Sequence, residues 1–225
     1  MHAGFWHERW EANQLGFHQE TVNDRLREHW PTLGVARQAT VFVPLCGKSL
    51  DMRWLRELGH PVVGVEVSPI AIRDFFAEAG IEPTTVTTGP FERSSGGGYE
   101  LFCGDFFDLD AEALAGVAGV YDRASLIALP PETRARYAAH LAAILPEAVQ
   151  ILLITLEYDQ ARMSGPPHSV PDDEVRRLFG ADFAIGPPAR APHEPAATAV
   201  AHGSCGEWPS ARSSRPGARP TTAAT

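Results

Sequence analysis

Glu66 stands where a carboxylate can bind a sugar. It follows Gly47 by 19 residues, close to the roughly 20-residue offset at which an acid at the tip of a second parallel strand reaches the hydroxyls of a bound ribose. A carboxylate accepts from both hydroxyls at once, which a neutral side chain of that size does less well. An isolated strand-end Glu is ordinarily a solvated surface residue, and the pattern leading up to this one gives it the stronger reading. The turn before it narrows the ligand. A dinucleotide site needs G-x-G-x-x-G, so that the backbone closes on a pyrophosphate at a helix N-terminus, whereas Pro44-Leu45-Cys46-Gly47 offers a single glycine. Such a turn suits an adenosine carried without phosphate. S-adenosylmethionine is the commonest cofactor of that kind, and NAD is the alternative.

Further candidates fall at later strand ends. Arg123 follows an apolar run and Asp122. A cation is repelled by a sulfonium, so Arg123 is expected to face away from the transferred methyl and to grip a carboxylate or the electron-rich edge of a heterocycle. An ion pair with Asp122 or a glutamate is the other possibility. In Gly104-Asp105-Phe106-Phe107-Asp108, Asp105 could accept from an adenine amino group and Phe106 could pack on the ring; core packing by the two phenylalanines and capping by Asp108 is equally open. Phe5, Trp6, Trp10 and Phe17 precede the first strand. They either stack on a planar ligand and exclude water or form the core-facing side of an added helix.

The elements that must position these residues are legible from periodicity. Val41-Phe42-Val43 reads as a buried parallel strand. Met52, Leu55 and Leu58 recur at helical spacing, with Ser49 or Asp51 to cap and Gly59 to stop. Val62-Val63-Gly64-Val65 is the second strand, and a helix from Pro69 carries Ile70, Ile72, Phe75 and Phe76 to a stop at Gly80. Residues 84–88 read as a third strand, Gly96-Gly97-Gly98 as the turn of a hairpin, and 117–121 as a fourth strand. Pro130-Pro131-Glu132 opens a helix with Tyr137, Leu141 and Ile144 on one face. Residues 149–156 form the most hydrophobic strand, 157–171 a Pro/Gly loop of the kind that covers substrates, and 172–179 a short helix. Strand, glycine turn, helix, strand and acid define the first unit of a doubly wound, mostly parallel α/β (Rossmann-like) sheet.

Composition removes several function classes. The chain has 225 residues, 44% hydrophobic, with a net charge of −9. No basic patch stands out, which argues against nucleic acid. No apolar run reaches the roughly 18–20 residues that cross a bilayer, and the N-terminus lacks the core of a secretory signal. Cys46, Cys103 and Cys205 lie far apart without C-x-x-C, and no histidine pair has metal-ligand spacing. Reduced thiols, no metal and a cytoplasmic location are expected. Nothing demands more than a monomer.

FWHERW, GFHQE, FVPLCGKSLDMRWL, GHPVVGVEVSPIAI, CGDFFDL, YDRASLIALP and GPPHSVP-x-x-E together resemble bacterial thiopurine S-methyltransferase, in the right order over roughly residues 4–183. The resemblance implies a class I methyltransferase fold that moves the methyl of S-adenosylmethionine to a small-molecule thiol, or to a selenium or tellurium acceptor. It further implies cofactor contacts at Trp10, Leu45, Glu66 and Arg123, with Asp105 and Phe106 near the adenine, and an acceptor flanked by Phe17 and Arg123. Displacement at a sulfonium methyl by a largely ionised thiol needs positioning and desolvation rather than a nucleophilic side chain. After about Phe183 the resemblance stops. The sequence therefore divides into a methyltransferase domain, 1–185, and a Pro/Ala/Gly/Ser/Arg-rich tail, 186–225, expected to be disordered and to resemble out-of-frame translation of a GC-rich gene. On that reading the C-terminal antiparallel strands are missing and the sheet edge is exposed. A non-catalytic, destabilised remnant that at most binds adenosyl ligands is the alternative function.

Overall fold

In the strand Thr40–Pro44 (β1), alternation by two sends Phe42 to one face of the sheet and Val41 and Val43 to the other, all buried. The same alternation in Val62–Glu66 (β2) sends Val63 and Val65 one way and Val62 the other. A sheet built from such strands is apolar on both faces and must be covered on both. The computed structural model, which describes residues 3–16, 18–187, 189 and 196–202, shows how the cover is supplied.

On one face lie the helices Asp24–His29 (α2), Leu50–Glu57 (α3) and Pro69–Ala79 (α4), contributing Leu26, Met52, Leu55, Phe75 and Phe76. On the other lie the short helix Ser125–Ala128 (α5), Pro131–Ile144 (α6) and Asp172–Phe179 (α7), contributing Leu126, Tyr137, Leu141, Ile144, Val175 and Phe179. An N-terminal helix, Ala3–Glu11 (α1), precedes them. Ser49 caps α3, its Oγ accepting from the Asp51 N–H at 3.2 Å. Asp51 itself is drawn inward. Its carboxylate accepts from the Tyr121 hydroxyl and the Asn23 N–H, each at 2.8 Å, and so ties α2 to the sheet.

The remaining strands are Thr84–Thr88 (β3), Phe91–Gly96 (β4), Tyr99–Cys103 (β5), Val117–Asp122 (β6), Gln150–Thr155 (β7), Phe183–Ile185 (β8) and Ala196–His202 (β9). Their order is β3-β4-β5-β2-β1-β6-β7-β9-β8. The stretch β5-β2-β1-β6-β7 is parallel, and antiparallel pairs flank it at both edges. The chain runs outward from β1 through β2 to the edge strand β3, returns through β4 to β5 beside β2, then crosses to β6 on the other side of β1. Strand order thus reverses between β1 and β6, which opens a crevice at their carboxyl ends. Gly64 is fixed by packing in the middle of this arrangement: a Cβ there would meet Cys46 Sγ at 2.8 Å and Leu101 Cδ2 at 2.9 Å. Gly64→Ala is therefore expected to cost about 2 kcal/mol through overpacking, lowering the melting temperature by about 2–4 °C per kcal/mol in a chain of this size. A thermal melt equal to wild type would show that the two neighbours give way freely.

The doubly wound architecture agrees with the reading of the sequence, and one detail is corrected. The C-terminal antiparallel strands are present: β9 pairs with β7 along Gln150–Thr155, and β8 pairs with β9. Pairing at an exposed strand edge is a main-chain property. The proline-free segment Ala196-Ala197-Thr198-Ala199-Val200-Ala201-His202 can supply it without the alternating large side chains that would have announced a strand. Part of the tail expected to be disordered is therefore strand, and 203–225 lie outside the described residues. No described helix is long and apolar enough to cross a membrane.

Candidate active site

A cavity of about 530 Å³ opens at the carboxyl ends of β2, β1, β6 and β7. Its walls follow the strand order. Glu66 and Val67 come from the end of β2, and 44–49 from the turn after β1. Arg123, Ala124, Ile127 and Ala128 follow β6, and Thr155 and Leu156 follow β7; Pro166 and Pro167 come from the loop before α7. The N-terminal segment closes the remaining side with Trp6, Arg9, Trp10, Gln14 and His18. A hydrogen bond between His7 Nε2 and the Val67 carbonyl, 3.0 Å long, moors this segment to the end of β2.

Glu66 is 7% exposed and is held rigidly. One carboxylate oxygen accepts from the Gly47 N–H and the other from the Ser68 N–H, both at 2.9 Å. The turn that presents Gly47 is tight: Leu45 has φ +46° and Gly47 φ +53°. A non-glycine residue in the left-handed region is strained and persists where the surroundings over-determine it. Here the Cys46 N–H donates to the Val65 carbonyl at 3.0 Å, and Trp10 lies over Gly47, 3.4 Å from where a Cβ would project. Burial pushes the Glu66 carboxyl above its ordinary value, against the opposing pull of the Ser68, Gly47 and Val67 amides and of His7. A carboxylate offers about four acceptor sites, and the two backbone donors leave room for the two hydroxyls of a ribose. Protonation would remove this capacity. Affinity for S-adenosylhomocysteine is therefore expected to be full above the raised Glu66 pKa and to fall as pH drops through it. That loss begins at a higher pH than an ordinary carboxylate would give. Calorimetric titration across a pH series checks this; constant affinity down to the ordinary carboxylate range would contradict it.

Among the described residues three cations line the cavity, and two are engaged. Lys48 pairs with Glu78, and Arg9 lies over the Phe5 ring at 4.4 Å and donates to Gln14 Oε1 at 3.4 Å. Arg123 makes no ion pair among the described residues. Its neighbour Asp122 turns into the core instead, where its carboxylate accepts from the Tyr137 hydroxyl at 2.7 Å and the Ser125 N–H at 3.2 Å, and burial raises its pKa. The alternative reading of Arg123, an ion pair with Asp122, is therefore not what the described residues show. His18 faces the same space, and burial, Lys48 and Arg123 lower its pKa, against opposing pulls from Glu78 and Glu20. Cys46 lines the wall as a buried thiol whose pKa burial and Glu66 drive up, so it is a poor nucleophile.

Among the residues singled out from sequence, the structure brings Trp10, Leu45, Glu66 and Arg123 to this cavity. Asp105 and Phe106 follow β5, the neighbour of β2, and do not line it. Asp105 is exposed and accepts from the Phe107 N–H at 2.9 Å. Phe106 is buried against Tyr137 and His140, with ring centroids 4.8 and 5.0 Å away. Phe17 lies outside the described residues. Tyr121 and His18 were not assigned roles from sequence, and Asp51 was assigned only that of a cap. Tyr121 looked like one more apolar residue of a buried strand. His18 had only its place in GFHQE to mark it.

The sequence model of the thiopurine S-methyltransferase family matches residues 1–193. A thiopurine S-methyltransferase of Azotobacter vinelandii is 53% identical over 185 residues, covering 82% of this chain and 85% of that protein. One from Pseudomonas entomophila is 56% identical over 179 residues, covering 80% and 83%. Among solved structures, an S-adenosylmethionine-dependent methyltransferase from Anabaena variabilis superposes with a TM-score of 0.64 at 14% identity, covering 89% of this chain and 94% of that one. Burkholderia thailandensis 1,6-didemethyltoxoflavin-N1-methyltransferase, solved with S-adenosylhomocysteine, gives 0.60 at 15% identity, covering 89% and 86%.

Proposed function

The chain belongs to the thiopurine S-methyltransferase family, and from that membership and the cavity we propose that it methylates the sulfur of a small planar thiol, with selenium and tellurium acceptors as further substrates. The observation that carries the reading is the Glu66 carboxylate, fixed by the Gly47 and Ser68 amides at the mouth of a crevice whose turn has no phosphate cradle. S-adenosyl-L-methionine, when bound, supplies a sulfonium methyl. Glu66 takes the ribose hydroxyls, and Leu45 and Trp10 wall the turn. Because the strands run β2-β1-β6-β7, a ligand anchored by its sugar at β2 points its reactive end toward β6 and β7.

There the protein presents Arg123, with Ile127, Leu156 and Pro166-Pro167 as apolar walls. Arg123 orients the acceptor and favours its anionic form, and the walls strip water from it. His18 stands beside them with its pKa lowered by burial, Lys48 and Arg123. Phe17 is assigned to the acceptor, and the adenine to the β5 end beside Asp105 and Phe106. The chain's own elements close the cavity, which suits a monomer, and the buried unpaired Cys46 suits the reducing cytoplasm.

Calorimetry with S-adenosylhomocysteine followed by a methyl-transfer assay with a mercaptopurine tests the proposal. Saturable binding together with S-methylated product is expected. Binding without transfer to any thiol or selenol would favour the non-catalytic remnant, and no binding would remove the cofactor site altogether.

A further inference from the structure

Arg134 is a charged side chain at 1% exposure, far from any role in holding the cofactor. Its guanidinium connects three separate segments around the cavity wall. Nε donates to the Leu129 carbonyl at 3.0 Å, at the end of the α5 turn that carries Ile127 and Ala128. Nη1 donates to the Ser169 carbonyl at 3.3 Å, two residues past Pro167. Nη1 also meets both oxygens of Glu174 on α7, at 3.0 and 2.9 Å. The two walls it joins are further stitched by the His168 N–H donating to Ile127 O, and the loop is tied to the end of β7 by the Val170 N–H donating to Leu156 O, each at 2.7 Å. Within the loop, Tyr158 donates through its hydroxyl to Pro167 O and through its N–H to Ser169 Oγ.

A buried ion pair is weak grounds for stability, because desolvation of both charges offsets their attraction and an apolar pair of similar volume is often as stable. What an apolar pair cannot do is donate to two specific carbonyls. Resting on the acceptor site proposed above, we infer that the Arg134–Glu174 pair is a positioning device: it sets the distance between the 124–129 wall and the Pro166-Pro167 wall, and so the width of the slot that receives the acceptor. Glu174 holds the guanidinium in place, and the guanidinium holds the walls.

The test compares Arg134→Met with the double variant Arg134→Met/Glu174→Met. The single variant leaves Glu174, whose side chain is 16% exposed, with Arg177 at 3.5 Å as its remaining cation and the Leu129 and Ser169 carbonyls without their donor, and is expected to melt about 5 °C lower. The double variant removes both charges and is expected to regain most of that loss. In both, the KM for a mercaptopurine is expected to rise about tenfold or more, because a displacement of about 1 Å at a reacting centre can cost up to about a hundredfold. Affinity for S-adenosylhomocysteine is expected to stay within about twofold of wild type, since no wall of the Glu66 end is touched. Amide exchange at His168 and Val170 is expected to quicken in both variants, a readout independent of which acceptor is used. If the double variant recovers wild-type KM and wild-type exchange along with its melting temperature, the pair is only structural and the inference falls. It falls equally if cofactor affinity drops in step with acceptor KM. Should the wild-type protein methylate no thiol, the function reading fails, and the exchange rates alone then decide whether the pair sets the walls.

Discussion

Replacing Glu66 by Ala is expected to weaken S-adenosylhomocysteine binding by about a hundredfold or more, because two charge-assisted hydrogen bonds to a ribose are together worth about 3 kcal/mol or more. Glu66 is the only carboxylate among the described lining residues of the cavity, so nothing nearby can take over its acceptors. The ligand brings no phosphate that a helix N-terminus could hold in compensation. The variant has a second effect in the empty protein. The Gly47 and Ser68 amides lose their acceptor, at about 1–3 kcal/mol for each N–H left dry. The loss of a desolvated carboxylate, whose pKa burial had raised, works in the opposite direction. The melting curve of the free protein should therefore move less than the binding curve. Glu66→Gln separates the two effects, since it keeps one acceptor oxygen and turns an amide group toward the other backbone donor. It should fall between wild type and Ala in affinity. Undiminished affinity in Glu66→Ala would mean that the sugar lies elsewhere, and the assigned pocket with it.

How much of this was visible in the chain depends on the kind of signal. The unbroken apolar runs Val41–Val43 and Val62–Val65 and the turn between them were legible because burial on both faces forces apolar residues at every position. The Glu66 offset followed from the same unit. The Arg123 position was legible because it ends a buried strand at the crevice. Residues whose role depends on a distant partner were not legible. Asp51 meets Tyr121, 70 residues on, and Arg134 meets Glu174, 40 residues on; neither spacing has a local signature. Phe106 illustrates the limit in the other direction. Its place after the third parallel strand suggested adenine, and the same ring packs against Tyr137 and His140; a phenylalanine at a strand end carries the same sequence signal for either role. β9 escaped notice because alanine carries almost no periodic information, while its main-chain hydrogen bonds to β7 need none.

Replacing Arg123 by Met should cost most on the acceptor side: kcat/KM for a mercaptopurine is expected to fall about a hundredfold, the order of about 3 kcal/mol that hydrogen bonds to a charged group can supply. The reasoning begins with which cavity cations are free to act. Lys48 is committed to Glu78, and Arg9 to Phe5 and Gln14, whereas Arg123 has no ion pair among the described residues. Its field is nonetheless felt, since it helps lower the His18 pKa and opposes the rise of the Tyr121 pKa. A cation that depresses one neighbour's proton affinity does the same for a bound thiol, so the acceptor ionises at lower pH beside Arg123 than in water. Without Arg123 the bound thiol holds its proton more tightly, and the rising limb of kcat against pH should move to higher pH. Arg123→Lys distinguishes charge from shape: the limb should stay near its wild-type position, while KM rises because a point charge cannot match the planar fork. The His18 titration, followed by NMR, should move upward in Arg123→Met and stay low in Arg123→Lys, which reports on the folded site directly. Normal cofactor binding with wild-type turnover and an unmoved pH limb in Arg123→Met would show that the acceptor is oriented by the apolar walls alone.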